Sequence, residues 1–264
     1  MRRFVTGATG FVRSAIVPEL IGAGHQVLGL ARSDAAASSL TAAGADVQRG
    51  SLDDLESLRN GASAADVVIR AGFIHDFANY AAAAEIDRCA IETIGAVPAD
   101  SERPFIVTSG IALAALGRVA REAAVANSNF PRKSEEAVAS AAAGGARVGG
   151  APSSFSSRRR RSWIRPAAAR YHAVADEGVA FREIAEVIGR PLNVPIVSKS
   201  PEEATDHFGW FAHFAGLDCP ASSARTKEQL GWRPMKASLI PNIDQPGYFE
   251  TNQKTFDQRG GASK

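Results

Sequence analysis

The sequence predicts an α/β fold in which a doubly wound parallel sheet is followed by a small C-terminal lobe. Three observations support this prediction. Over residues 1–148, short apolar runs alternate with segments of helical periodicity, a pattern typical of parallel strands joined by right-handed crossovers. A glycine-rich turn separates the first apolar run from the first helical segment. Beyond residue 148 the alternation stops, so a separate, smaller lobe is expected in the rest of the 264-residue chain.

Strands and helices are predicted in a regular order. Short runs rich in β-branched and apolar residues predict strands over 4–6, 27–31, 46–48, 65–72 and 105–108, with a sixth beginning at 147. Helical periodicity predicts helices over 14–23, 33–43, 77–96 and 133–143, with a further helix beginning near residue 51. Ser33 and Ser51 are the expected N-caps of the second and third helices, because a serine oxygen can accept a hydrogen bond from a backbone N–H group.

The later part of the chain divides into three segments. Residues 149–170 lack an amphipathic period and contain four successive arginines, so we interpret them as an irregular, solvated connector rather than an anion-binding patch or import signal. Residues 171–250 predict a small lobe of helices, with a short strand near Val194–Val197. Residues 251–264 are polar and predict a frayed tail.

The composition argues against several classes of protein. A net charge of +2 gives no reason to expect a nucleic-acid partner. Two distant cysteines provide neither a disulfide framework nor a metal site. No run approaches the roughly 20 apolar residues of a membrane span, and the N-terminus lacks the apolar core of a signal peptide. We therefore expect a cytoplasmic protein that acts on a small molecule, with a homodimer left open.

The turn "TGATGFVRSA" predicts a binding site for a dinucleotide. Gly7 allows a sharp turn out of the strand, and Gly10 lets a pyrophosphate approach the backbone. The following helix offers free N–H groups and the positive end of its dipole. The turn lies within a strand–helix–strand unit of about 30 residues, which is the context of a Rossmann-type site. The expected contacts from this turn are Gly7, Thr9, Gly10, Phe11 and Val12.

Arg13 departs from this pattern because it stands where a third glycine is expected. The third glycine normally lets the helix pack closely on the strand. An arginine adds bulk there, and its charge is unfavourable beside the positive end of the helix. Two interpretations remain open. Either Arg13 points outward and holds a cofactor phosphate, or it loosens the site without binding anything, and the second is favoured.

Three motifs together resemble a known enzyme family. "FVTGATGF" at the N-terminus, "VTSG" after the fifth strand and "EQLGWRP" near the C-terminus are similar to the extended short-chain dehydrogenase/reductase family, in its NAD-dependent epimerase/dehydratase group. The resemblance covers about residues 1–148 and, more loosely, 171–240. It implies an NAD(P)-dependent oxidoreductase that transfers a hydride between nicotinamide and a small carbonyl, alcohol or sugar-like substrate.

The residues after the second strand indicate which nucleotide is preferred. NAD-selective sites carry an acid there to bind the ribose 2′-hydroxyl. This chain has Arg32 followed by Ser33, a pair that suits a 2′-phosphate, so we favour NADP, while Asp34 keeps NAD possible. The resemblance also implies an adenine contact after the third strand, for which Asp53 is the nearest acid. Ala71, at the end of the fourth strand, completes the expected cofactor contacts.

The resemblance further implies a Ser or Thr after the fifth strand and a Tyr-x-x-x-Lys motif on the next helix. Ser109 matches the first position and would polarise the substrate carbonyl. Lys133 matches the lysine and would bind the nicotinamide ribose, although a plain surface lysine is an equal alternative. Asn129 stands where the tyrosine is expected, and none of the three tyrosines precedes a lysine by four residues. The proton donor is therefore unassigned, with water as a candidate.

These departures leave two classes of function open. The first is the oxidoreductase described above. The second is a catalytically impaired NADP-binding or redox-sensing protein, a decayed paralogue, which the missing tyrosine and a connector too short to build a substrate pocket would favour. His75 stands near the expected nicotinamide position but is interpreted as a solvated loop residue. The aromatic residues of 208–214 are interpreted as the core of the small lobe rather than as a pocket wall.

Overall fold

A computed structural model describes residues 1–8, 13–97, 103–110, 117–124, 131–150 and 169–248. Within these ranges the chain forms seven strands: β1 (Arg2–Thr6), β2 (Gln26–Ala31), β3 (Asp46–Arg49), β4 (Val67–Arg70), β5 (Pro104–Val107), β6 (Arg147–Gly150) and β7 (Ala169–Arg170). They form one parallel sheet in the order β3-β2-β1-β4-β5-β6-β7. The order reverses between β1 and β4, so the predicted doubly wound sheet is confirmed.

Helices connect these strands and form the C-terminal lobe. In residues 1–150, which we call the sheet half, they are α1 (Arg13–Gly22), α2 (Asp34–Ala42), α3 (Leu55–Ser63), α4 (Tyr80–Gly95) and α5 (Ser134–Ala143). In the lobe they are α6 (Phe181–Leu192), α7 (Pro201–Phe208), a 3-10 turn (Gly209–Phe211), α8 (Ala212–Ala215), α9 (Ala224–Leu230) and α10 (Leu239–Ile243). No helix of the described residues is long and apolar enough to cross a bilayer.

Helices cover both faces of the sheet. Successive residues of a strand point to opposite faces, so neighbouring residues of β1 pack against different helices. Phe4 packs in one cluster with residues of α3, α4 and α5, among them Leu58 and Ile91. Its neighbour Val5 packs in a second cluster with residues of α1 and α2, among them Val17 and Leu40. Phe4 pairs with Leu28 on one side and with Val68 on the other, which fixes β1 at the centre of the sheet.

Two local predictions are corrected by the structure. Ser33 does cap α2, since its Oγ accepts a hydrogen bond from the Ala36 N–H at 3.2 Å. Ser51 does not cap α3, because that helix begins four residues later and is capped by Asp54. The predicted strand at Val194–Val197 is also absent. These residues follow α6 as an unpaired segment with exposed valine and isoleucine side chains, so their β propensity has no neighbouring strand to satisfy.

The lobe contacts the sheet half through a small buried polar group. Thr226 donates its backbone N–H to Glu122 at 2.7 Å and its hydroxyl to the same carboxylate at 2.8 Å. The His172 backbone N–H in turn donates to the Thr226 hydroxyl at 2.7 Å. Ala120 and Ala221 are buried beside this group and form an isolated parallel bridge. These contacts tie residues 117–124 to the segment that follows β7.

Candidate functional site

The turn after β1 and the loop after β4 meet backbone to backbone at the point where the strand order reverses. Gly7 has φ +68°, a left-handed conformation that glycine adopts without strain. A Cβ on Gly7 would lie 2.5 Å from the Cα of Gly72 and 2.7 Å from the carbonyl carbon of Ala71. Gly7 is therefore required both for the turn and for this close approach. Gly72, which is not among the predicted cofactor contacts, is its partner, because a Cβ there would lie 2.9 Å from the Gly7 nitrogen.

The other predicted contacts of the glycine turn are only partly described. Ala71 continues the β4 ladder, since its N–H donates to the Thr6 carbonyl at 3.3 Å. Arg13 is the first residue of α1, but the position of its side chain lies outside the described part of the structure. The remaining predicted contacts, which are Thr9, Gly10, Phe11 and Val12, also lie outside it.

Two arginines, rather than one, lie near the carboxyl end of β2. Arg32 is exposed directly after the strand. Arg49, at the end of β3, is paired in register with Ala31 and forms an ion pair with Asp34. Asp34, the acid that would favour NAD, therefore already has a cationic partner. Arg49 was missed because the sequence pattern of the nucleotide site directs attention to the second strand alone.

Asp53 lies in the loop between β3 and α3 and is exposed. Its carboxylate accepts a hydrogen bond from the Ser51 hydroxyl. This bond, together with one from its own backbone N–H, lowers the pKa of Asp53. The residue is therefore an ionised loop carboxylate held by Ser51.

Ser109 stands directly after β5, at the carboxyl end of the sheet. Its Oγ is buried and has no hydrogen-bond partner among the described residues. The neighbouring Thr108 hydroxyl, by contrast, donates to the Arg70 carbonyl at 3.2 Å. Buried hydroxyl groups nearly always form a hydrogen bond. A buried hydroxyl without a partner at the edge of the sheet is therefore a candidate donor to a bound ligand.

Lys133 is the N-cap residue of α5 and is directed along its own helix. Its Nζ lies 3.3 Å from the Glu136 carboxylate, and 31% of its side chain is exposed. Asn129, which stands in place of the expected tyrosine, lies outside the described residues.

A buried ionic network lies directly beneath this edge. Asp87 of α4 forms an ion pair with Arg70 of β4, and both side chains are almost fully buried, at 1% and 0% exposure. Asp87 also accepts hydrogen bonds from the Nε of Arg132 at 3.2 Å and from the Ser134 hydroxyl. Arg132 Nε donates to the Ser134 oxygen as well, at 2.8 Å.

Arg132, rather than Lys133, reaches the ends of the strands. Its Nη2 donates to the Thr108 carbonyl at 3.4 Å, and its Cζ lies 4.0 Å above the ring of Phe73. Nη1 lies 3.9 Å from the point where a Cβ on Gly110 would stand. The guanidinium group therefore bridges the loops after β4 and β5. One signal for it is present in the sequence, an arginine directly before the predicted lysine, but the family spacing assigns a role only to the lysine.

Aromatic rings line the loop after β4 and extend into the lobe. The Phe77 ring stacks on Trp210 with centroids 4.2 Å apart and an interplanar angle of 5°. Trp210 is 56% exposed and α7 buries no residue, so the prediction that these rings form a lobe core is wrong. The Tyr80 ring lies 5.9 Å from Phe73. Burial raises the pKa of Tyr80, and the positive charge of Arg132 partly offsets this effect.

Comparison with protein families indicates the family to which this chain belongs. Residues 7–146, which include the glycine turn and strands β2 to β5, match the model of the NAD(P)H-binding family. The chain belongs to this family. The match does not distinguish NAD from NADP. It shows that the similarity extends from the glycine turn to residue 146, just before β6, in this NAD(P)H-binding protein.

Two fungal proteins are similar to the NAD(P)H-binding protein over nearly its full length. An uncharacterized protein of Schizosaccharomyces pombe is 36% identical over 297 residues, with 94% of this chain and 100% of the relative covered. An uncharacterized protein of Saccharomyces cerevisiae is 34% identical over 291 residues, with 92% and 98% covered. Because both alignments are longer than the 264 residues of this chain, each relative contains residues without a counterpart here.

Three solved structures share the fold. A nucleoside-diphosphate-sugar epimerase from Pseudomonas aeruginosa superposes with a TM-score of 0.67 at 13% identity, covering 96% of this chain and 98% of that one. The Bordetella bronchiseptica enzyme WbmG in complex with NAD gives 0.65 at 13%, covering 95% and 94%. A UDP-glucose 4-epimerase from Thermotoga maritima gives 0.62 at 15%, covering 96% and 100%. These superpositions confirm the predicted Rossmann-type fold.

Proposed function

We propose that the protein is an NAD(P)-dependent oxidoreductase of the epimerase/dehydratase type, acting on a small carbonyl, alcohol or sugar-like substrate. The observation that carries this proposal is the meeting of Gly7 and Gly72 at the point where β1 and β4 diverge. In doubly wound sheets, dinucleotides bind in the crevice at this point. The buried, unpartnered Ser109 hydroxyl stands at the end of β5, the strand next to β4.

The residues at this edge fit a dinucleotide. A side chain at either glycine would force the two loops apart, so the glycine pair keeps the turn in the tight conformation that a dinucleotide site needs. The N-terminus of α1 would direct free N–H groups at the pyrophosphate. A bound nicotinamide supplies or accepts the hydride, and the protein positions and polarises the substrate. We assign the pyrophosphate contacts to Gly7, Thr9, Gly10, Phe11 and Val12, with Ala71 beside them.

NADP is the preferred nucleotide in this proposal. Arg32 is exposed after β2 and would donate to a 2′-phosphate. Arg49, which pairs with Asp34 at the same edge, adds a second positive charge close to Arg32, and this local charge supports NADP over NAD. We assign the adenine contact to Asp53, because it is an ionised and exposed carboxylate in the loop after β3.

At the other end of the cofactor, Ser109 would donate a hydrogen bond to the substrate carbonyl, and Lys133 would bind the nicotinamide ribose. Lys133 would have to leave Glu136 for this role. The cost is small, since exposed ion pairs are worth about 0–1 kcal/mol. Ser109 gains the partner that it lacks among the described residues.

Fluorescence titration with NADPH and NADH tests the nucleotide site. We expect NADPH to bind more tightly, and Arg32→Ala to weaken NADPH about tenfold while NADH changes little, as expected for loss of one charge-assisted bond. Equal loss for both nucleotides would refute the 2′-phosphate contact. Failure of the wild type to bind either nucleotide would refute the proposed function.

NADPH oxidation across a panel of aldehydes and ketones tests catalysis. Ser109→Ala should lower turnover with little effect on NADPH affinity, because the hydroxyl is assigned to the substrate. Tight NADPH binding without turnover on any substrate would instead support a catalytically impaired NADP-binding or redox-sensing protein. The presence of Asn129 in place of the tyrosine is the observation that keeps this alternative under test.

A further inference from the structure

We propose that Arg132 is a substrate-binding and catalytic residue, which holds the carbonyl oxygen of the substrate together with Ser109. This inference rests on the proposed function and names the cation of the same site. The family spacing assigns no role to Arg132. The assignment follows from its charge, its fixed geometry and its place between two strand ends.

The first argument is the charge of the buried network. Among the described residues, two guanidinium groups, those of Arg70 and Arg132, share the single carboxylate of Asp87. Burial lowers the pKa of Arg132, but an arginine stays protonated in a protein. The network therefore holds one positive charge more than negative charge. A buried excess charge is costly unless an opposite charge or a strong dipole completes it.

The second argument is the direction in which Arg132 is held. Its Nε is fixed by Asp87 and Ser134, and its Nη2 by the Thr108 carbonyl. No described residue accepts a hydrogen bond from Nη1, which lies on the side of Gly110. With three bonds fixing the plane of the guanidinium, Nη1 is a positioned donor rather than a mobile surface charge.

The third argument is the closeness of Ser109. Arg132 touches the carbonyl of Thr108 and faces Gly110, so it flanks Ser109 on both sides along the chain. The Ser109 hydroxyl is buried and unpartnered among the described residues. A substrate oxygen bound between them would accept one hydrogen bond from the Ser109 hydroxyl and one from Arg132 Nη1. The ring of Phe73, 4.0 Å from Arg132, would pack beside a planar carbonyl group.

The chemical consequence concerns the charge that develops during reduction. When a hydride adds to the carbonyl carbon, the π electron pair moves to the oxygen and forms an alkoxide, which then takes a proton from water. Arg132 and Ser109 would stabilise this oxygen from side chains that are largely buried, where preorganised donors have a larger effect than in bulk water. This assignment supplies the electrostatic part of the role that the missing tyrosine leaves open.

Benzoate is a suitable probe, since its carboxylate mimics the charged oxygen and its ring can pack on Phe73. We expect isothermal titration to show one benzoate per chain, with or without NADP present. Arg132→Gln should weaken benzoate about ten- to hundredfold, as expected for loss of a hydrogen bond to a charged group. Arg132→Lys should be intermediate, because lysine keeps the charge but loses the planar fork. Arg182→Gln, at an exposed pair on α6, should match the wild type.

Arg132→Gln should fold, because Asp87 keeps Arg70 as a partner. If Arg132→Gln does not fold, two measurements still test the inference. They are the benzoate affinity of Arg132→Lys and the pH dependence of the benzoate affinity of the wild type. Affinity for the wild type should stay constant between about pH 6 and 8, since Arg132 stays protonated there. Absence of benzoate binding by the wild type, or equal affinity in wild type, Arg132→Lys and Arg132→Gln, would overturn the inference. NADPH titration of the same samples reports separately on the proposed function.

Discussion

The sheet half and the C-terminal lobe are stabilised in different ways. The sheet half buries two apolar clusters, one on each face of the central strands. The lobe buries few apolar side chains and leaves many large ones exposed, which are Phe181, Leu192, Val194, Ile196, Val197, Trp210, Phe211, Leu230, Met235 and Leu239. The sheet half therefore has a core of its own, whereas the lobe depends on its contacts with the sheet half.

The comparison with the fungal relatives gives this difference a physical meaning. Each relative carries residues that have no counterpart in this chain. The resemblance to extended short-chain dehydrogenases predicts that residues 147–170 are shorter than the corresponding part of those proteins. A lobe that lacks neighbouring chain would expose apolar surface, as this one does, while the sheet half would keep its core.

The largest effect is expected from the buried charge network of the sheet half. Asp87→Asn would leave Arg70 and Arg132 without their shared carboxylate. Removing one partner of a buried ion pair costs about 3–5 kcal/mol of unfolding free energy. Glu92→Gln, at an exposed pair with Arg88 on the same helix, should cost less than about 1 kcal/mol. Urea unfolding of both variants measures the difference, and equal costs would mean that the network is solvated.

Two glycines with similar φ angles allow the energetic cost of close packing to be distinguished from the cost of conformational strain. Gly7 and Gly24 have φ of +68° and +78°, but only Gly7 has neighbours within 4 Å of an added Cβ. Gly24→Ala should cost about 1–2 kcal/mol, for the left-handed conformation alone. Gly7→Ala should cost about 1–3 kcal/mol more, for overpacking against Gly72, and should weaken NADPH binding. Equal costs in thermal unfolding would show that the β1 turn and the β4 loop can separate.

The fold could be predicted because its signals are local. The turn around Gly7 and the alternation of short strands with helices each lie within a few tens of residues, and Ser33 was found as a cap from its position alone. Ser51 was assigned wrongly because the sequence offered two acceptors, and the helix starts after the second, Asp54. The valine-rich segment after α6 failed as a strand because β propensity needs a partner strand.

The site could be predicted only where its residues follow a strand directly. Ser109 was assigned from the family resemblance, and it lies two residues beyond the end of β5. Arg132 was not found, because only the folded topology brings it to Phe73 and Thr108. The choice between Arg132 and Lys133 is set by the direction in which the chain enters α5. Spacing along the sequence contains no information on that direction.

The docking of the lobe through Thr226 should have an intermediate effect. Thr226→Val removes the hydroxyl that joins His172 to Glu122 and should cost about 1–3 kcal/mol, since a buried carboxylate loses a donor. Thr205→Val, at an exposed hydroxyl on α7, should cost less than about 0.5 kcal/mol. Hydrogen exchange of the lobe amides is the measurement. Unchanged protection in Thr226→Val would show that the lobe is held elsewhere.

The same contact should depend on pH. Burial raises the pKa of Glu122, but hydrogen bonds from its own backbone N–H and from Thr226 outweigh this effect, so the folded pKa lies below its ordinary value. Its stabilisation is therefore complete above the unfolded-state pKa of about 4.3 and is lost as the pH falls through the lower folded value. Glu122→Gln should remove this acid-dependent part of lobe opening. A Glu122→Gln profile that still follows the wild type below about pH 4.5 would assign the dependence to another carboxyl group.

The smallest effect is expected where the lobe lies on the loop after β4. Phe77 and Trp210 stack at 4.2 Å, so a double-mutant cycle with alanine should give a coupling of about 0.5–1.5 kcal/mol. Phe77 and Phe181 provide the matched control, because Phe181 packs on Phe208 and Phe211 instead and should show coupling near zero. Equal coupling in both cycles would mean that the alanines loosen the whole lobe. A value near zero for Phe77 and Trp210 would remove the aromatic contact from the forces that hold the lobe, leaving the buried bonds of Thr226 to do so.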